Sequence, residues 1–402
     1  MDMIIKNARL RKKGNDLFTI AVNNGKIEKI VSGSCVCGDK HGEVIDAKGR
    51  LVTESFVNGH LHLCKVYTLE MVGQDALNSY HSEGMGGAMT AIEQAARVKE
   101  NYDEKWIINN VRKACNLALK YGNTHIRAFA DVDPKAKLEG VKALLKAKEE
   151  YRDTVDLQIV AFPQDGIVRD PGAESYVEKA LELGADVVGG IPWIEFTPKD
   201  EQEHVDRMFA LAKKYNKDVS MLLDDVGDPG ERTLEMVIAK TLEMGWQGRV
   251  TAQHCRAVAL YQENHFRKLV SLLKKADIGL VSDPQTGPLH ARVADLYNAG
   301  INVALGQDDI ADAYYPFGRN NMLEVAFLAV HLLWMTTFEG METIYDMITT
   351  NAARAMGIKG HLLEEGGTAD LVILNAEDIY HAIWEHEAPA YVIRKGVNVT
   401  KR

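Results

Sequence analysis

Gly59-His60-Leu61-His62-Leu63 closes an apolar run over residues 51–57. His60 and His62 stand two residues apart, the repeat of an extended strand, so both rings point to one side of it. Two imidazoles at the C-terminal end of a strand fit one wall of a metal site, because imidazole ligates zinc, iron and related divalent ions. A histidine pair beside a turn is equally compatible with plain structure. The flanking chain has to decide.

Downstream of the pair, apolar runs and helical patterns alternate. Strands are predicted at residues 124–130, 155–162, 187–191, 219–223, 250–252, 278–281 and 301–305. Helical stretches fall between them, at 103–121, 138–151, 173–183, 201–215, 233–244, 257–275 and 291–298, with a further one at 86–100. Most of these strands are continuously apolar, as parallel strands covered on both faces must be. With the histidine strand they number eight, and eight βα units across about 250–300 residues predict an α/β (β/α)₈ TIM barrel. A doubly wound open sheet is the alternative. Nucleotide binding is set aside, since Gly84-Met85-Gly86-Gly87 follows no strand end and lacks Lys-Ser/Thr.

Both termini carry β material. Short strands are predicted at 3–5, 17–22, 26–30 and 43–46, with Asn24-Gly25 as a hairpin turn, and again at 369–374, 390–393 and 397–399. Residues 1–50 with 365–402 are therefore expected to form a small β-sandwich domain around a hydrolase barrel of residues 51–364. Extra helices at 322–333 and 342–356 belong to the barrel. The first, with Leu332-Leu333-Trp334, is apolar enough for a homo-oligomer interface, and burial within the monomer explains it as well.

Composition bounds the function. The 402 residues are 46% hydrophobic, enough for one large core with an appendage. A formal charge of −10 argues against a nucleic-acid partner. No apolar segment approaches the roughly 20 residues that span a bilayer, which argues against a membrane partner. Five cysteines without dense spacing suggest a reducing, cytoplasmic setting, with Cys35-x-Cys37 read as free thiols rather than ligands.

In a barrel of this kind catalytic groups come from strand C-termini. Those ends offer His60, His62 and Lys65, then Asp131 and Asp133, Phe162 with Gln164, and Trp193 with Glu195. The remaining four offer Asp224 and Asp225, Gln253 with His254, Asp283, and Gln307 with Asp308 and Asp309, shortly before Tyr314. Packing alone does not require so many acids and histidines. His60, His62, His254 and Asp308 are expected to converge over the barrel mouth, a set that suits a divalent ion and the water it activates. Asp224 or Asp225 is placed to shuttle protons. Gln164 suits reading the edge of a flat amide-like substrate, while Phe162, Tyr314, Trp193 and Phe129 offer flat walls.

These residues, with the runs LQIVAFPQDGI (157–167), GADVVGG (184–190), GRVTAQH (248–254) and GQDDIADAYYPFGRNNM (306–322), resemble the amidohydrolase superfamily along nearly the whole chain. Within it the branch of cytosine deaminases and N-isopropylammelide amidohydrolases is the most similar. The resemblance implies one divalent metal ion on the barrel, zinc or iron foremost, manganese or cobalt according to supply. It implies His60 and His62 as ligands, Asp308 as a ligand that also moves a proton, and His254 orienting the attacking water. Gln164 falls on the substrate-binding glutamine, Tyr314 on an aromatic lid position, Lys65 on a lysine that some members carry, and Asp309 beside the strand-eight ligand in the substrate pocket. The reaction implied is hydrolysis of a C–N bond in a small planar nitrogen compound such as an aminopyrimidine, an aminotriazine or another cyclic amidine.

Strand five departs from the pattern. Leu222 stands where the family has a metal-binding histidine, and Asp225 where it has the glutamate that protonates the ring. Phe129 and Gln307 replace two further histidines. Three arrangements remain open. His254 takes over as the missing ligand; Asp224 or Asp225 replaces it; or catalysis is lost and a small-molecule binding pocket remains. The changed site is expected to take a substrate other than cytosine, and a ring-opening cyclic amide or imide hydrolase is the nearest enzymatic alternative.

Overall fold

The computed structural model describes residues 2–33, 42–72, 78 and 96–400. The Cys35/Cys37 pair, the glycine run at 84–87 and most of the helix expected at 86–100 lie outside the described residues. Two eight-stranded sheets organise the chain.

The first sheet holds β1 (Met3–Leu10), β2 (Phe18–Asn23), β3 (Lys26–Ser32), β4 (Glu43–Asp46), β5 (Leu51–Glu54), β14 (Leu371–Ile373), β15 (Tyr391–Arg394) and β16 (Val397–Asn398). Its order is β16-β15-β14-β5-β1-β2-β3, with β4 paired to β1, so the two chain ends share one sheet as expected. Its inward residues, among them Met3, Ile5, Ile20, Val22, Leu371 and Ile393, form a core of their own. Alternation along the strands supplies that face.

The second sheet runs β13-β12-β11-β10-β9-β8-β7-β6, every pairing parallel. Its strands are β6 (Phe56–Leu61), β7 (Asn123–Asp131), β8 (Asp156–Phe162), β9 (Val187–Gly190), β10 (Asp218–Leu223), β11 (Val250–His254), β12 (Gly279–Ser282) and β13 (Val303–Leu305). All nine residues of β7 are buried, as the two covered faces of a parallel strand require. The helices carry one apolar stripe each. Glu104–Lys120 is capped by Asp103, whose side chain accepts from Lys105 N, and buries Ile107, Ile108, Val111, Ala114, Cys115 and Ala118 against the sheet.

The ring closes at the histidine pair. His62 N donates to Asp308 O at 2.8 Å and Asp308 N donates to His60 O at 2.9 Å, joining the first strand to the last. Gly306 makes this possible, because a Cβ there would lie 2.6 Å from the His60 Cβ. The fold is a (β/α)₈ barrel with a small β-sandwich unit built from both termini.

Several elements differ from expectation, among them the helix expected at 342–356, which is split into Phe338–Met347 and Thr350–Ala355. The run at 51–57 is two strands: Ser55 N donates to Asp370 O of the small sheet, whereas Phe56 N donates to Gly122 O on the barrel side. The stretch at 257–275 is broken into a 3₁₀ turn at Arg256–Leu260 and a helix at Glu263–Ala276. The short helix Ile379–Glu385 was not expected, and it packs on Met322–Leu332 and Phe338–Met347. Leu332 and Trp334 are exposed in the monomer. No helix among the described residues is long and apolar enough to cross a membrane.

Candidate active site

Every side chain of the central cluster sits at a strand's C-terminal end. His60 and His62 close β6, with Lys65 just beyond; His254 ends β11; Asp308 follows β13. Asp224, His254 and Asp308 all adopt positive φ, at +46°, +62° and +65°. Non-glycine residues rarely do so, and aspartate, asparagine and histidine do so most readily. The left-handed turn bends the backbone away from the strand path and aims each side chain where an extended residue would not.

His60 Nε2 lies 3.1 Å from Asp308 Oδ1, His62 Nε2 3.7 Å and His254 Nε2 3.9 Å from the same oxygen. All four residues are at most 4% exposed. His60 Nε2 and His254 Nε2 are buried without a hydrogen-bond partner. Ligating atoms of His60, His254 and Asp308 lie within 4.8 Å of one another, and so do those of His62, Asp308 and Asp309. Lone pairs left unsatisfied around one carboxylate oxygen are what a cation would satisfy. The donor set, three imidazoles and a carboxylate, fits a divalent ion.

Charge is distributed unevenly in this cluster. Burial first, then the positive neighbours His254 and Lys65, hold His60 and His62 well below the ordinary histidine range, so both are neutral. Burial also works against a charge on His254, but Asp225, Asp283 and Asp308 outweigh it and raise the imidazole to about 9. Asp308 is pushed well up, by burial and then by Asp309 and Asp283. Asp283 goes the other way: burial opposes its ionisation, yet His254 and Arg256 hold it well below the carboxylate range.

A second layer holds the imidazoles. His60 Nδ1 meets Gln253 Oε1 at 2.9 Å, and Gln253 Nε2 donates to Ser220 Oγ. His254 Nδ1 lies 2.9 Å from Asp283 Oδ1. Arg256 donates from Nε to Asp225 Oδ1 at 2.7 Å and from its terminal nitrogen to Asp283 Oδ2 at 3.2 Å. Thr286 Oγ1 stands 2.6 Å from Asp283 Oδ2 and 2.8 Å from Asp308 Oδ2. In the sequence Asp283 is legible only as a strand end, and no motif singles out Arg256 or Thr286. Nothing in a sequence distinguishes a buried arginine from a solvated one.

Asp224, a candidate for the missing ligand or the proton shuttle, does not join the cluster. β10 ends at Leu223, and the left-handed turn at Asp224 breaks the alternation. Its carboxylate accepts from Thr233 Oγ1 at 2.7 Å, Leu234 N at 3.2 Å and Tyr261 Oη at 2.8 Å. Asp225 stays nearer the centre, 3.7 Å from His254 Nδ1. Leu222 is buried in an apolar group with Phe129, Phe162, Ile191, Trp193 and Ile194, against which Tyr314 packs. Phe129 lies 4.2 Å from the His60 ring and Phe162 5.3 Å from the His62 ring, centroid to centroid.

Beside this wall, Lys65 Nζ donates to Gln164 Oε1 at 2.9 Å and sits 4.4 Å from the Tyr314 ring centre. Burial opposes its charge, and Asp131, Asp309 and Asp312 more than restore it. A small cavity is lined by Lys65, Asp131, Gln164, Asp312 and Tyr314. The turn that follows Gln164 is tied down by Glu195, which accepts from Ile167 N, Val168 N and Arg169 N at 2.7, 3.1 and 2.7 Å and faces His204 Nδ1 at 2.7 Å. Glu195→Gln puts an amide where only acceptors are wanted. It is expected to raise KM about 10-fold while metal content stays at the parent value, a cost of ~1.4 kcal/mol. Parallel kinetics and elemental analysis check it, and an unchanged KM would show that the turn does not depend on Glu195.

Comparison with known proteins finds amidohydrolases and deaminases. The model of the family described as "Amidohydrolase family" matches residues 43–399. The N-isopropylammelide isopropyl amidohydrolase of Pseudomonas sp. (strain ADP) is 32% identical over 405 residues, covering 100% of this chain and 97% of the relative. The pterin deaminase of Rhizobium rhizogenes (strain K84 / ATCC BAA-868) is 26% identical over 372 residues, 87% of this chain and 81% of its own. Among solved structures, the 5-methylcytosine deaminase from Klebsiella pneumoniae superposes with a TM-score of 0.89 at 33% identity, covering 100% of this chain and 98% of the other.

Proposed function

Since the chain belongs to the amidohydrolase family and is thus an enzyme acting on C–N bonds, we propose that it removes ammonia or an amine from an amidine carbon of a small planar nitrogen heterocycle. Aminopyrimidines, aminotriazines and pterin-like rings make up the class. Nothing among the described residues bars cytosine itself, so cytosine belongs in any substrate panel. The observation that carries this reading is the convergence of three imidazoles on Asp308 Oδ1 beside an aromatic wall.

His60, His62, His254 and Asp308 would hold one divalent ion, with His254 in place of the imidazole that Leu222 lacks. When bound, such an ion makes water a nucleophile at neutral pH and stabilises negative charge developing on the attacked carbon's substituents. The chain's own groups do the rest. Gln164, with its Oε1 taken by Lys65, presents its amide N–H groups to an acceptor on the ring edge. Phe129, Phe162 and Leu222 keep one side of the pocket dry. Asp308 takes the proton of the attacking water at a carboxylate oxygen and returns it to the leaving nitrogen. Asp225 has its Oδ1 committed to Arg256, so the proton transfers are assigned to Asp308.

The test uses purified protein loaded with zinc or iron and freed of excess, beside its His254→Ala variant. One ion in the parent, less than a tenth of that in the variant, and ammonia or amine released from at least one cyclic amidine is the expected result. A carboxylate product without amine would mean ring opening instead. No metal and no product in the parent would leave a binding protein on this fold.

A further inference from the structure

His254 can face an ion only if its Nε2 carries a lone pair, and that depends on the proton at its other nitrogen. Two groups compete for Nδ1. Asp283 Oδ1, at 2.9 Å, accepts a proton from it, whereas the Arg256 terminal nitrogen, at 3.1 Å, offers one to it. The two contacts demand opposite tautomers.

Hydrogen accounting decides between them. The terminal nitrogen of Arg256 that approaches His254 has two hydrogens, and the acceptors near it include Asp283 Oδ2 at 3.2 Å, Thr286 Oγ1 at 3.1 Å and His254 Nδ1. The single hydroxyl proton of Thr286 faces carboxylate oxygens of both Asp283 and Asp308, at 2.6 and 2.8 Å. Thr286 thereby keeps an oxygen lone pair for Arg256. Arg256 can spend both hydrogens on Asp283 and Thr286, and it need not donate to the imidazole. Asp283 Oδ1, at 2.9 Å, is a nearer acceptor for the Nδ1 proton than Asp225 Oδ1, at 3.7 Å.

We propose that Asp283, held by Arg256 and Thr286, is a positioning residue that keeps a proton on His254 Nδ1, so that a bound ion would displace the second ring proton and take the Nε2 lone pair on the side of Asp308. The buried Nε2, which has no hydrogen-bond partner, is the second half of this arrangement. Carboxylates behind ligating histidines raise ligand basicity and fix ring orientation, and their loss typically weakens metal binding about 10- to 100-fold. Here the device does more than support an existing set. It turns an imidazole that strand six supplies into a replacement for one that strand five lacks. The inference rests on His254 being a ligand, as proposed above.

The experiment measures cobalt(II) affinity by chelator competition, and the visible absorption of the cobalt form, in the parent, Asp283→Asn, Asp225→Asn and His254→Ala. Asp225→Asn removes a carboxylate from the same Arg256 network without touching a hydrogen bond to the imidazole. Asp283→Asn is expected to weaken cobalt by about 10- to 100-fold and to shift the absorption bands, with a several-fold smaller effect from Asp225→Asn. Equal losses in the two variants, or an unchanged Asp283→Asn, would overturn the positioning role. If His254→Ala binds cobalt as tightly as the parent, the ligand assignment itself fails, which is a separate result. Because Asp283→Asn removes a buried charge and can impair folding, nitrogen-15 spectra of histidine-labelled zinc protein provide an independent check. A proton on His254 Nδ1 is expected, and a proton on Nε2 would overturn the proposal.

Discussion

Asp308→Asn is expected to lower kcat by about 10⁴-fold, the largest loss any single substitution in this site should cause. Asparagine keeps the shape and can still accept hydrogen bonds, but it cannot take a proton from water and hand it to a leaving nitrogen. The substitution should spare the barrel. The bonds that close the ring use the backbone N–H and C=O of Asp308, not its carboxylate. Oδ2 meets Thr286 Oγ1, which an amide can also satisfy. The measurement is steady-state turnover with metal content determined on the same sample. A variant that keeps its ion and loses turnover supports proton transfer at Asp308. A variant within 10-fold of the parent with its ion in place would move that role elsewhere, with Asp225 the next carboxylate to test.

Much of this site is legible in the residues, for physical reasons. Parallel strands buried on both faces leave continuous apolar runs, and a barrel places polar groups where each run ends, so counting runs finds both fold and mouth. His60, His62, His254 and Asp308 were found in this way, and the structure brings their side chains together. What strand phase does not show is where the strand stops. Asp224 shares the alternation of Leu222 in sequence, yet a left-handed turn at its own backbone sends its carboxylate to Thr233 and Tyr261. Ser55 is another such point, because one peptide there hands the chain from the small sheet to the barrel.

Partners were harder to read than ends. Asp283 sits at a strand terminus like the others, but its meaning lies in a 2.9 Å contact with His254 and in the guanidinium behind it. Glu195 likewise reads as a fourth-strand acid aimed at chemistry, whereas its oxygens are consumed by three backbone amides and a histidine. Both are carboxylates at strand ends. Only their neighbours separate a group that binds a loop from one that steadies an imidazole.

Leu222→His should return an imidazole to strand five and tighten metal binding about 100-fold, or ~2.7 kcal/mol. The position is right for it. Ser220 faces into the barrel, where its hydroxyl accepts from Gln253, and Leu222 is two residues further along the same face. Gln253, its register partner on β11, holds His60. The exchange removes hydrocarbon from the group with Phe129 and Phe162, so a stability loss of about 1–2 kcal/mol is expected beside the gain in affinity. The double variant Leu222→His/His254→Ala is the sharper test, because it moves the third imidazole from strand six back to strand five. If it holds one ion where His254→Ala alone holds none, the two positions are interchangeable ligand sources and the present site is a relocated version of the family's. If it stays empty, the apolar niche at Leu222 does not open onto the ion, and the dry wall against Phe129 and Phe162 is there for the substrate alone.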